Sequence, residues 1–263
     1  MCESPIWFET RMDGIHVAFL GYHNWYFLPK IASSLGLGIS YVFHSGRVRM
    51  NLRGEYSEWE VPLPTAQKTL NRFLKAARNA RSLEVRVGRP ALDYSLLSKF
   101  KRVSKLSLFA PTNSALDLGL LASLEALVLA DSSLKKVQGI DRLTKMKVLH
   151  AQSTSSSLIA SAPKSLKSLY IYGKLPIGLN VGHLENLETL VLENCRELDL
   201  SELSLGNAPL VVRLVNVRAL KNLGHAKKTF AIAREIICEE MDHNLFEALK
   251  TNVPKHCRVT HIL

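Results

Sequence analysis

The chain has 263 residues, 47% of them apolar and 22% charged, with a formal net charge of +11. That is enough apolar material for one sizeable core, and a single elongated domain is expected. No apolar run approaches the ~18–20 residues needed to cross a bilayer. The opening MCESPIWFETRMDG lacks the basic start and apolar centre of a signal peptide, so the expected location is cytoplasmic.

Residues 1–64 read as an all-β segment. IHVAFL (15–20), NWYFL (24–28), ISYVFH (39–44) and RVRMNL (47–52) are rich in β-branched and aromatic residues, and EYSEWEV (55–61) is a further candidate strand. Ser45-Gly46 suits a hairpin turn, and Gly36-Leu37-Gly38 another turn. This segment is expected to cap whatever follows it.

A helix is predicted over 65–81, with Thr65 as its N-cap and Pro64 just before it. Leu70, Phe73, Leu74 and Ala77 form its apolar stripe, while Lys68, Arg72, Lys75 and Arg78 fall mostly off that stripe. Residues 61–105 hold eleven Lys and Arg against Glu84 and Asp93, a net +9 of the chain's +11. A field of that sign favours anionic partners; a solvated helix face with charged loops is the plainer alternative.

From Leu83 onward one motif recurs. The clearest copies are Leu124-x-x-Leu127-x-Leu129, Leu166-x-x-Leu169-x-Ile171 and Leu187-x-x-Leu190-x-Leu192-x-x-Cys195. Val103-x-x-Leu106-x-Leu108, Met146-x-x-Leu149-x-Ala151 and Pro209-x-x-Val212-x-Leu214 are looser versions. The markers 83, 106, 127, 149, 169, 190 and 212 are separated by 23, 21, 22, 20, 21 and 22 residues. A strand-sized unit repeated at that period means a solenoid, because one unit cannot bury its leucines alone. The stretch from about 80 to 220 resembles the leucine-rich repeat family, in its short class of roughly 22 residues. The chain departs from the family at the position of Cys195, where the other copies carry Pro111, Ser132, Thr154, Lys174 and Val217 instead of a column of Asn.

Beyond Leu220 the spacing loosens. TFAI (229–232) is a candidate strand, Asp242 is the expected cap of a helix HNLFEALKTN, and CRVTHI (257–262) is a candidate last strand. The fold class expected is therefore an α/β solenoid: a leucine-rich-repeat parallel-sheet array with an N-terminal β cap (1–64), repeats over 65–223 including the leading helix 65–81, and a C-terminal αβ cap (224–263). STSSS (153–157) and 173–182 read as loops within the array.

If the repeat leucines point inward, their neighbours alternate onto the other, concave face. Three rows follow. The residue between the leucines is Ser107, Val128, His150, Tyr170, Val191 or Arg213; the one after is Phe109, Ala130, Gln152, Tyr172, Glu193 or Val215; the one before is Lys105, Ala126, Val148, Ser168, Thr189 or Val211. These rows are too apolar and aromatic for a plain solvent face, and such strips mark interaction surfaces unless another segment covers them. Phe109, Tyr170 and Tyr172 are the expected anchors, with Val128, His150, Gln152, Glu193 and Arg213 around them.

Catalysis has little support in the sequence. The nine His are dispersed without ligand spacing, and His150 is the only one placed in a row. No phosphate-binding or nucleophile-elbow motif is present, no cofactor or metal is expected, and the four Cys are read as reduced thiols. The chain is thus expected to be no enzyme. The family resemblance implies a protein-binding module, with a stoichiometric immunity or inhibitor protein as one example, and the basic segment predicts an acidic patch on its partner. The alternative is an anionic-ligand module that takes nucleic acid or lipid head groups on the basic segment 68–105, with Lys68, Arg72, Lys75 and Arg78 as its contacts.

Overall fold

The computed structural model describes residues 6–11, 14–19, 38–44, 47–52, 55–60, 66–87, 93–109, 116–129, 137–152, 156–206 and 210–262. The candidate strand at 24–28, the turns at 36–37 and 45–46, the expected N-cap Thr65, and Pro111, Ser132 and Thr154 of the repeat column lie outside these residues.

Among the described residues twelve strands make one sheet. In chain order they are β3 (Gly38–His44), β4 (Arg47–Leu52), β5 (Glu55–Glu60), β6 (Ser82–Val87), β7 (Lys105–Phe109), β9 (Ala126–Leu129), β11 (Val148–Gln152), β12 (Ser168–Tyr172), β13 (Thr189–Glu193), β15 (Leu210–Val215), β17 (Ala233–Glu239) and β18 (Arg258–Ile262). From β6 to β18 the spatial order follows the chain order and every neighbouring pair is parallel. At the other end β3 lies parallel beside β6, and β4 and β5 add antiparallel hairpin strands. β1 (Ile6–Arg11) and β2 (Gly14–Phe19) form a separate antiparallel pair.

The physical reason for the stack is the leucine pattern. Leu106 and Leu108, Leu127 and Leu129, Leu149 and Ala151, Leu169 and Ile171, Leu190 and Leu192, and Val212 and Leu214 are all at most 4% exposed. Each pair sits on one face of a short strand, and only the coil before and the coil after can cover it. Return segments close the core from the other side through Leu118, Leu121, Ile140, Leu143, Val181, Leu184, Leu200 and Leu203. They contain 3₁₀ turns and the two-residue bridges of β8 (Leu116–Asp117) with β10 (Val137–Gln138) and β14 (Leu198–Asp199) with β16 (Leu220–Lys221). Two of these returns touch through bare backbone: a Cβ on Gly206, whose φ is +77°, would come within 2.5 Å of the Gly182 Cα.

The leading helix α1 spans Ala66–Ala77, and Leu70, Phe73, Leu74 and Ala77 are fully buried as the stripe predicts. It ends four residues before the predicted 81, where Ala80 turns back to donate its N–H to the Ala77 carbonyl and buries its own methyl. The Gln67 side chain pins α1 to the next segment: its amide donates to the Asp93 carbonyl and accepts from the Asp93 N–H.

Ser156 and Ser157 of the predicted serine-rich loop instead open a short helix, α2 (Ser156–Ala160). The C-terminal reading needs one correction. The residues TFAI are not a strand: Ala226–Thr229 is a helical turn, α3, in which the Thr229 hydroxyl donates to the Leu200 carbonyl, and the strand is β17. Leu210 pairs with Ala233 but Val211 with Glu235, so Arg234 is an extra residue in the ladder. That bulge stretches the step from Val212 to Ile236 and hides the period. Helix α4 (His243–Asn252) follows as predicted, with the Asp242 carboxylate accepting from the N–H groups of Asn244 and Leu245, and leads into β18.

The inside–outside assignment is open to test by paired substitutions. Leu190→Ala removes a fully buried side chain and should cost about 2–5 kcal/mol in urea unfolding, whereas Tyr172→Ala, on the other face, should stay within ~0.5 kcal/mol. Equal losses would overturn the assignment.

Candidate functional site

The candidate site is built by the sheet face that points away from the leucine core. The strand register places the three sequence rows side by side. His150 pairs with Val128 on one side and Tyr170 on the other, Tyr170 with Val191, and Val191 with Arg213. In the adjoining row Gln152, Tyr172, Glu193 and Val215 follow one another, and β17 and β18 continue it with Glu239 and Ile262.

Parallel strands lie about 4.8 Å apart, so planar side chains in register can stack. His150 and Tyr170 do so, with ring centroids 3.9 Å apart and planes 18° from parallel. Tyr172, two residues on, is 45% exposed and Gln152 beside it is also exposed. Val128, Val148 and Val211 are half-buried on this face. The structure therefore gathers His150, Gln152, Tyr170 and Tyr172 into one patch on β11 and β12.

Four other residues of the rows behave differently. Val191, set between Tyr170 and Arg213, is 3% exposed and offers little to a partner. Arg213 is held by the Glu239 carboxylate of β17 through both Nε (2.8 Å) and Nη2, so its charge is already compensated. Phe109 lies on β7, three strands from β12 and thus about 14 Å from Tyr172; its row neighbour Ala130 lies outside the described residues. Glu193 is half-buried and accepts from the Asn194 amide.

At the ends of β12, β13, β15 and β17 stands a left-handed residue: Gly173 (φ 86°), Asn194 (54°), Asn216 (48°) and Glu240 (51°). Each donates its N–H to the last carbonyl of the next strand, on Glu193, Val215, Glu239 and Ile262 respectively. The Asn216 side chain also donates to Asn194 Oδ1. This column fixes where the loops leave the sheet. It stands one residue before the position of Cys195, Val217 and Met241, which are buried. The signal in the sequence is Gly173, Asn194 and Asn216 at steps of 21 and 22, the residue types that adopt φ > 0 most readily.

Burial sets the chemistry available here. The His150 ring is held neutral more readily than in water, since desolvation pushes its pKa below the ordinary 6.5. It makes no hydrogen bond among the described residues. Burial drives the Cys195 and Cys238 thiols up to about 11 and about 12, so both are inert thiols within the core. Among the described residues no cluster of His, Cys, Asp and Glu could hold a metal ion.

The second candidate, the basic helix face, is placed apart from this patch. Lys68, Arg72, Lys75 and Arg78 are all exposed on α1 and the turn after it. The aromatic residues of the segment, Phe73, Tyr94 and Phe100, are at most 1% exposed and present no ring on which a base could stack. No helix is long and apolar enough to cross a membrane among the described residues.

No protein-family model matches the chain, nor does the sequence of any curated protein. Among solved structures it is similar to an internalin C2 from Listeria monocytogenes, at 15% identity over 72% of this chain and 74% of that one, with a TM-score of 0.37.

Two measurements follow from the site. Because the folded His150 resists protonation, stability should be full above pH 6.5 and decline as pH falls below it, and His150→Asn should flatten that part of the urea-midpoint profile. An unchanged slope would mean that another group carries it. Asn216→Gly keeps the left-handed backbone but loses the side-chain bond to Asn194 and should cost about 1 kcal/mol or less, while Asn216→Val should cost about 1–2 kcal/mol more through the left-handed backbone.

Proposed function

We propose that this chain is a non-enzymatic protein-recognition module of leucine-rich-repeat type, in the short repeat class, and that it binds a protein partner through the outer sheet face and the loops beside it. The observation that carries this reading is the patch on β11 and β12: a stacked His150–Tyr170 pair next to an exposed Tyr172. Tyrosines fixed on strands bring large contact area at little entropic cost, as binding surfaces require. Ile177 in the loop after β12 and Ile262 four strands away at the end of the Tyr172 row are further exposed apolar side chains, separate from the patch.

Gln152, Glu193 and Val128 form the surround, with Phe109 a separate contact and Arg213 a positioned but compensated charge. A partner with an acidic patch fits the chain's +11 net charge. A stoichiometric, blocking mode of action, as of an immunity or inhibitor protein, suits a rigid surface of this kind. In this reading the segments 1–64 and 224–263 serve as caps: β3 covers the edge of β6, and β17, α4 and β18 prolong the sheet at the other end.

The anionic-ligand alternative rests on the exposed cations of α1, and burial of Phe73, Tyr94 and Phe100 counts against nucleic acid as its ligand.

A pull-down from native lysate with the wild type and a Tyr170→Ala/Tyr172→Ala double variant tests the recognition reading, with circular dichroism as the check on folding. One stoichiometric protein should be retained by the wild type and lost in the folded double variant. Equal recovery by both proteins would refute the sheet-face site.

A further inference from the structure

A notch of about 320 Å³ opens between the end of α1 and the 3₁₀ turn Ser95–Lys99. Its floor is Leu74, Leu96 and Phe100, and its mouth is ringed by Lys75, Arg78 and Lys99. Leu74 and Phe100 are at most 1% exposed, and Leu96 is half-buried.

The charges at this mouth differ from those along the repeats. Lys147 pairs with Glu125, Lys164 with Glu185, Lys167 with Glu188 and Lys221 with Glu197, each across neighbouring coils. Lys75, Arg78 and Lys99 have no such carboxylate among the described residues. The nearby Asp93 is engaged in capping Ser95, through that residue's N–H at 2.9 Å and its hydroxyl at 2.8 Å. Cations in a last turn interact favourably with the helix dipole. That accounts for a lysine at the end of a helix, but not for three cations gathered around an apolar floor.

We propose that this notch is a second protein-docking site, which takes an acidic peptide segment of a partner. One apolar side chain of the segment packs on the half-buried Leu96 at the notch, and its flanking carboxylates meet Lys75, Arg78 and Lys99. The notch lies at the small end of ligand pockets, which run from about 300 to 1,000 Å³. It therefore suits one or two side chains rather than a whole cofactor. A bare phosphate would leave the floor unused. A nucleic acid would find no stacking ring, since Phe73, Tyr94 and Phe100 are buried. The site is independent of the sheet-face patch, so the two proposals fail separately.

The test is a random peptide library displayed on phage, panned on the full chain and counter-selected with Lys75→Glu/Lys99→Glu. Enriched sequences should carry one large apolar residue flanked by Asp or Glu. A synthetic copy should bind the wild type at least about tenfold tighter than the charge-reversed variant. Leu96→Ser, which keeps the charges, should also weaken it. Circular dichroism confirms that both variants are folded. The proposal is overturned if no peptide is enriched, if acid-only sequences bind as well, if Leu96→Ser leaves binding unchanged, or if a single-stranded oligonucleotide competes as tightly as the peptide.

Discussion

Everything in this protein depends on one burial problem. A five-residue strand with two inward leucines can hide them only between its neighbours, and the sequence supplies that strand at nearly constant intervals. The parallel sheet is the solution: Leu127, Leu149, Leu169, Leu190 and Val212 share one row of the register and are fully buried. Each coil is stable because the next exists, so stability spreads along the array rather than residing in one centre. The same repetition aligns the residues between the leucines, and an ordered outward surface arises on the other face as a consequence of solving the core.

Backbone hydrogen bonds finish what the leucines start. At the ends of β12, β13, β15 and β17 a left-handed residue hands its N–H to the following strand, and an Asn, Gly or Glu fills the position. On the return side, Asp117 accepts from the Gly119 N–H and the guanidinium of Arg142, and Asp199 accepts from the Ser201 N–H and the Asn222 amide. The neighbouring cations and donors hold both carboxylates below their usual range. Such contacts satisfy polar backbone where the chain turns, and a tightly wound coil would otherwise leave it bare.

The chain thus presents two surfaces of different chemistry. The sheet face offers rings and methyl groups, and its Arg213 already has a carboxylate. The α1 side offers three cations over a small apolar floor. Aromatic rings on the basic side lie in the core, and Arg213 on the sheet face is held in an internal ion pair. In the functions proposed above, a folded partner meets the first surface and an acidic segment the second.

Much of this is legible in the chain itself. The leucine spacing determined the strands from β6 to β15, their parallel order and the three outward rows, because period and register are local properties of the chain. The stripe of α1 and the Asp242 cap were equally local. What only the tertiary structure decided was which outward residues remain available. Val191 is enclosed between larger row neighbours, Arg213 is paired across a strand added late in the chain, and Phe109 stands three strands from the tyrosines. The single bulged residue Arg234 hid β17, since one extra residue breaks a period while leaving the hydrogen-bonded ladder intact. A sequence states which face a side chain takes; how exposed and how charged it stays there depends on neighbours about twenty residues away, which only the stacked coils bring together.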